Sequence, residues 1–184
     1  MVIPFFESDD WVKFFLAHNA SFDASILAHQ DFDGLFHQSA QQFYAVIGTE
    51  NPDLSKMKRS GTKMIAWHGM QDQLIPTNGT VDYYNRVLDL DAHAADYYRL
   101  FLAPGVTHCG FGNGFDPAET VFGTLKAWVE NGTVPEKMEA VAVAVASSNL
   151  HTSAIRTGYL CPYPEVFTYV GVNPNDPSSF TCVK

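Results

Sequence analysis

The chain has 184 residues, 46% of them hydrophobic, which is enough to bury the core of one domain. A formal net charge of −9 with only 11 Lys and Arg, and no basic run or Cys/His zinc spacing, argues against nucleic acid as the partner. No apolar stretch approaches the roughly 20 residues that a membrane-spanning helix needs.

Up to about Glu50 the sequence is rich in Phe, Asp and His, and its apolar spacing predicts a short helix over Asp10 to Ala17 and a second helical stretch around Gln41 to Ile47. "ENPDLSKMKRSG" reads as a turn with one helical turn ending at Gly61. "TKMIAWHG" then reads as a short buried strand stopped by glycine. In "PTNGTVDYYNRVLDLD", Val81, Tyr84, Val87 and Leu88 fall on one helical face, and "ADYYRLFLAP" is a second strand stopped by Pro104 and Gly105.

The loop "GVTHCGFGNG" comes next, and after it Asp116 is placed to cap and Pro117 to open a helix with an apolar stripe of Val121, Leu125, Trp128 and Val129, closed by Gly132. The order strand, helix, strand, loop, helix predicts an α/β fold with a mostly parallel sheet flanked by helices. Beyond Pro135, "EAVAVAVASS" alternates as a strand, and the segment from Ile155 to Lys184 is rich in Pro, Tyr and Asn with little core of its own. A disulfide between Cys161 and Cys182 would staple that tail.

Three cysteines and three Asn-x-Ser/Thr sequons, at Asn19, Asn78 and Asn131, fit an oxidising, secretory compartment and mark candidate glycosylation sites. "MVIPFFESDDWVKFF" has neither the basic region nor the unbroken apolar run of a signal peptide. Secreted chemistry without that segment is the expectation for the downstream piece of a longer polypeptide.

In open parallel sheets, functional groups collect on the loops after the C-terminal ends of strands. The loop "HGMQDQLIP" presents Asp72, and "APGVTHCG" presents His108. One helix and one strand separate them, so adjacent strands bring both to one rim. An acid followed by a histidine is the later part of a Ser…Asp…His hydrolase order. A carboxylate beside a histidine holds one tautomer and leaves the outer ring nitrogen free to shuttle a proton. His68, just before Gly69, reads either as a support behind the site residues or as structural, and His18, His29, His37, His93 and His151 have no ligand-like spacing, so no metal site is expected. "GFGNG" lacks the P-loop Lys-Ser/Thr and the dinucleotide spacing and reads as backbone freedom around His108. No Gly-x-Ser-x-Gly elbow occurs in the sequence.

In order, "KMIAWHGMQDQLIP", "VDYYNRVL", "YYRLFLAPGVTHCGFG", "LKAWVENGTVPE" and "LCPYPEVFTYVG…DPSSFTC" resemble the C-terminal part of the tannase and feruloyl esterase family of fungal-type secreted serine esterases. The resemblance implies the C-terminal portion of an α/β-hydrolase fold from residue 55 to 184, preceded over residues 1–54 by the end of a lid and its helical connection. It assigns the catalytic acid to Asp72 and the base to His108. It also implies that Cys109 bonds a cysteine outside this chain, next to the nucleophilic serine, leaving Cys161 and Cys182 to pair with each other. The calcium of the family's lid is not expected within this chain, and no other cofactor is implied.

The serine, its cysteine and the oxyanion donors are expected on an upstream segment or subunit, so that this chain is expected to be a fragment, a processed subunit or a truncated gene model. Two readings follow. The first is a carboxylic ester hydrolase acting on hydroxycinnamate or gallate esters, inactive without the serine-bearing part. The second is a secreted, non-catalytic remnant that binds phenolic or glycan ligands.

Overall fold

The computed structural model describes residues 6–110, 112–143, 155–174 and 176–184. Contacts divide the chain into two compact units, Met1–Asn51 and Pro52–Lys184.

The first unit is helical. Helix α1 (Phe6–Trp11) runs into a π-helical turn, Val12–Leu16, and a longer helix, α2, spans His29–Ile47. The sequence expectation here was too short. Helix α2 starts where the Asp31 carboxylate accepts from the Ala28 N–H at 2.9 Å, well before the apolar stretch at Gln41. Trp11 stacks on Phe15 at 4.5 Å between ring centroids and meets Phe43 edge-on at 4.9 Å, while its indole N–H donates to Ser39 Oγ at 2.9 Å. That aromatic knot holds the unit together, because Leu16 is its one buried hydrophobic among the described residues.

The second unit is built on a strand, helix, strand core. After the single helical turn α3 (Ser55–Arg59), strand β1 (Met64–Gly69) leads through helix α4 (Thr77–Leu90) to β2 (Tyr98–Ala103). β1 and β2 pair in parallel, with Met64 opposite Tyr98 and Gly69 opposite Ala103. Side chains alternate across the pair, as pleating requires. On one face Met64, Ala66, Tyr98 and Leu100 meet Tyr84 and Val87 of α4. On the other, Ile65, Trp67, Phe101 and Ala103 pack with Val106, Met138 and Leu160. Both faces being covered explains why these strands read as apolar runs.

Helix α5 spans Val121–Asn131 and ends at Gly132 in the left-handed conformation. It begins later than expected from Asp116 and Pro117. The Asp116 carboxylate accepts from the Ala118 N–H at 2.8 Å and makes a turn there, and Asp116 itself bridges to Val141, so its backbone is committed to a strand contact. In the expected stripe Trp128 is buried and Val121 and Leu125 are partly buried, but Val129 is 61% exposed.

Strand β3 (Met138–Val143) pairs antiparallel with β4 (Ile155–Leu160), and β5 (Val166–Tyr169) with β6 (Phe180–Val183). The rest of the "EAVAVAVASS" run, from residue 144, lies outside the described residues. The tail is thus more ordered than its composition suggests. Pro162 bridges to Phe101, the Tyr163 N–H donates to the Leu100 carbonyl at 2.7 Å, and a disulfide joins Cys161 to Cys182.

Candidate active site

Parallel pairing puts the C-terminal ends of β1 and β2 at one rim, and the two loops that leave it are laced together by backbone. The Met70 N–H donates to the Ala103 carbonyl and the Gln71 N–H to the Val106 carbonyl, each at 3.0 Å. The approach is close because residue 69 is glycine. A Cβ there would collide with the Val106 carbonyl oxygen and come within 2.9 Å of the Val106 carbonyl carbon.

This seam carries Asp72 and His108 to each other. The Asp72 carboxyl group is 8% exposed, and its Oδ1 accepts from the backbone N–H groups of Leu74 and Ile75, both at 2.8 Å. His108 Nδ1 lies 3.0 Å from Oδ2 and 3.2 Å from Oδ1. Desolvation opposes ionisation of this carboxyl, but the Ile75, His108 and Leu74 donors outweigh it and hold Asp72 well below the usual carboxylate range. Asp72 is therefore an anion at neutral pH, and His108 Nδ1 carries the proton that it receives. His108 Nε2, the other ring nitrogen, makes no hydrogen bond to the described residues, and the side chain is 35% exposed.

The backbone around His108 is held from the acid's side. Its N–H donates to Gln73 Oε1 at 3.3 Å. Cys109 follows with φ +59° and an exposed, unbonded thiol. Gly110 has φ +80°, and a Cβ there would run into the Asp116 carboxylate, so the glycine-rich stretch serves backbone freedom as the sequence suggests.

His68 lies beneath the acid. Its Nε2 is 3.1 Å from the Ile75 carbonyl oxygen and 3.2 Å from Asp72 Oδ2, and its Nδ1 is 2.7 Å from Thr80 Oγ1. Of the other described histidines, His93 pairs loosely with Asp96 at 3.8 Å, and His18, His29 and His37 belong to the helical unit. His151 is outside the described residues. Asn19, Asn78 and Asn131 are all exposed. Among the described residues no three His, Cys, Asp or Glu side chains are grouped to hold a metal ion. No described helix is long and apolar enough to cross a membrane.

The family model "Tannase and feruloyl esterase" matches residues 5–183. The chain belongs to the tannase and feruloyl esterase family. It is 40% identical over 188 residues to the "Probable feruloyl esterase" of Arthroderma benhamiae, a match covering 100% of this chain and 34% of the relative. It is 36% identical over 150 residues to the "Mono(2-hydroxyethyl) terephthalate hydrolase" of Piscinibacter sakaiensis, covering 81% of this chain and 24% of that one. Among solved structures, an esterase from Aspergillus oryzae superposes with a TM-score of 0.83 at 27% identity, over 98% of this chain and 38% of that one.

The chain thus spans about a third of the length of the tannase and feruloyl esterase relatives it matches, and its fold is part of an α/β-hydrolase. The sequence placed Asp72 and His108 on facing loops, and the structure brings them together. It also joins Cys161 to Cys182, as the family resemblance implied. Gln73 and Thr80 were missed. Gln73 had one available signal, its position directly after the acid, whereas Thr80 is one turn into a helix and gave none.

Proposed function

We propose that this chain supplies the acid and base of a carboxylic ester hydrolase that acts on hydroxycinnamate or gallate esters, with the nucleophilic serine on a segment or subunit outside it. The 3.0 Å contact between His108 Nδ1 and Asp72 Oδ2 carries this reading, together with the free outer nitrogen of the same ring. His108 Nε2 accepts the serine proton as Oγ attacks the ester carbonyl, and Asp72 stabilises the imidazolium that forms. The proton then passes to the departing alkoxide. In the second half His108 takes a proton from water, which attacks the acyl-enzyme, and returns it to the serine. Cys109 is exposed beside His108 and is suited to bonding a cysteine next to that serine, which keeps base and nucleophile in register.

A secreted origin with glycans at Asn19, Asn78 and Asn131 belongs to the same reading. The Cys161–Cys182 disulfide supports it, since such bonds persist in oxidising compartments. Phenolic substrates suit a cavity of about 510 Å3, which Met70 and Pro104 line at the same strand ends and Phe115, Tyr159, Tyr163 and Phe167 line with aromatic rings. The cavity equally serves the second reading, a non-catalytic remnant that binds phenolic or glycan ligands.

Reaction of the native protein with a fluorophosphonate, followed by mass analysis with and without reductant, separates the two. Label on a partner released from this chain by reductant, with loss of feruloyl or galloyl ester hydrolysis in His108→Ala, is the expected result. Undiminished hydrolysis in His108→Ala, or no hydrolysis by any species containing the chain, overturns it.

A further inference from the structure

We propose that His68 is a positioning residue for the Asp72 carboxylate, acting through a clasp that runs from Thr80 on α4 through the imidazole to Ile75 and Asp72. The inference rests on the esterase reading of the site for its catalytic consequence, though not for its geometry.

The ring's surroundings decide its tautomer. Nε2 faces the Ile75 carbonyl oxygen at 3.1 Å, a group that can only accept, so Nε2 carries a proton. Nδ1 then accepts from the Thr80 hydroxyl at 2.7 Å. In this tautomer the N–H edge of a ring 12% exposed stands 3.2 Å from Asp72 Oδ2, the oxygen that also faces His108. Oδ2 therefore lies between two imidazoles.

Ile75 makes the arrangement more than a space-filling contact. Its N–H donates to Asp72 Oδ1 while its C=O accepts from His68, so one residue links the carboxylate to the ring on both sides. The turn from Asp72 to Ile75 supplies two of the donors that keep the carboxylate ionised, and His68 pins that turn to the first part of α4, an element locked in the core by Tyr84 and Val87. Removing the ring frees the turn to relax and leaves Oδ2 with a single polar neighbour. The direction in which it meets His108 then loosens, and a displacement of that kind at an acid that must orient a base reduces turnover rather than substrate binding.

The test uses the full chain with 15N-labelled histidine and follows the low-field proton resonance of His108 Nδ1–H in His68→Leu, His68→Gln and Thr80→Val, with circular dichroism as the check on folding. His68→Leu and Thr80→Val are expected to broaden the resonance or move it upfield, and His68→Gln, which keeps a donor, to recover it in part. With the serine-bearing part present, kcat is expected to fall about 10- to 100-fold in His68→Leu with KM unchanged. A folded His68→Leu with the His108 resonance and kcat both unchanged overturns the proposal. Should that variant not fold, Thr80→Val decides by the same resonance, with Asn78→Gln as its control because Thr80 also completes the Asn78 sequon; apart from that it removes one hydroxyl and little volume. If the resonance responds as expected while no ester is hydrolysed, the esterase reading falls and the positioning role of His68 stands.

Discussion

Gln73 Oε1 accepts the backbone N–H of His108 at 3.3 Å, so the residue after Asp72 also holds the loop of His108. The imidazole and its own backbone are thereby tied to two consecutive side chains, Asp72 and Gln73. One net hydrogen bond contributes on the order of 1 kcal/mol. Gln73→Ala is expected to lower kcat about two- to tenfold with little change in KM or melting temperature, as steady-state kinetics on a feruloyl ester in the assembled protein would show.

Asp72→Asn keeps the shape of the side chain but turns one acceptor into a donor and removes the charge. The expected loss in kcat is about 10^4-fold, since the wrong His108 tautomer is then favoured. Its effect on stability depends on pH. The folded carboxyl titrates below its ordinary value, so its contribution is present above the unfolded value of about 4 and is lost as pH falls through the folded one. Urea unfolding from pH 7 down to pH 2 should therefore show a steeper acid loss in the native chain than in Asp72→Asn.

Gly69→Ala is the smallest change that separates the two loops. The added methyl meets the Val106 carbonyl, backbone that cannot rotate away, so the strand ends must part. Overpacking of this kind costs about 1–3 kcal/mol. A lowered urea midpoint together with a weakened His108 Nδ1–H resonance is expected, and a wild-type value for both would contradict the close approach.

The disulfide closes a loop of sequence separation 21 and ties the end of β4 to β6. Chain-entropy arguments put its contribution at about 3 kcal/mol. In the isolated chain, the double variant Cys161→Ser, Cys182→Ser should lose roughly that much in urea unfolding while Cys109→Ser, which there removes only a free thiol, loses none.

Tyr98 is buried against α4, and burial, with the neighbouring Tyr83 and Tyr84, pushes its phenol up to about 12. The unfolded group titrates near 10. Stability from Tyr98 is thus full below about pH 10 and is lost as pH rises towards 12, because the unfolded chain ionises first. Alkaline unfolding should be less steep in Tyr98→Phe, read by fluorescence between pH 9 and 12.

Much of this protein is legible in order along the chain. The glycine-stopped apolar runs mark β1 and β2, the spacing of Tyr84 and Val87 marks the buried face of α4, and strand-end placement marks Asp72 and His108, because each of these signals is carried by residues a few positions apart. The motifs around both residues also carry the family. Helix α2 was under-read because its first half is polar, and nothing in a single exposed stretch distinguishes such a helix from a loop.

Tertiary structure alone decided the contacts made across the seam. Parallel register set Gly69 opposite Ala103, and only then could Gln73 reach the His108 backbone. The hairpins formed by the tail, with Pro162 and Tyr163 on β2, likewise depend on a partner strand far away in sequence. His68 shows the difference most plainly. Periodicity places it at the end of a strand, but its ring acts through Thr80, Ile75 and Asp72, which come together only when α4 packs against β1 and the loop folds back between them.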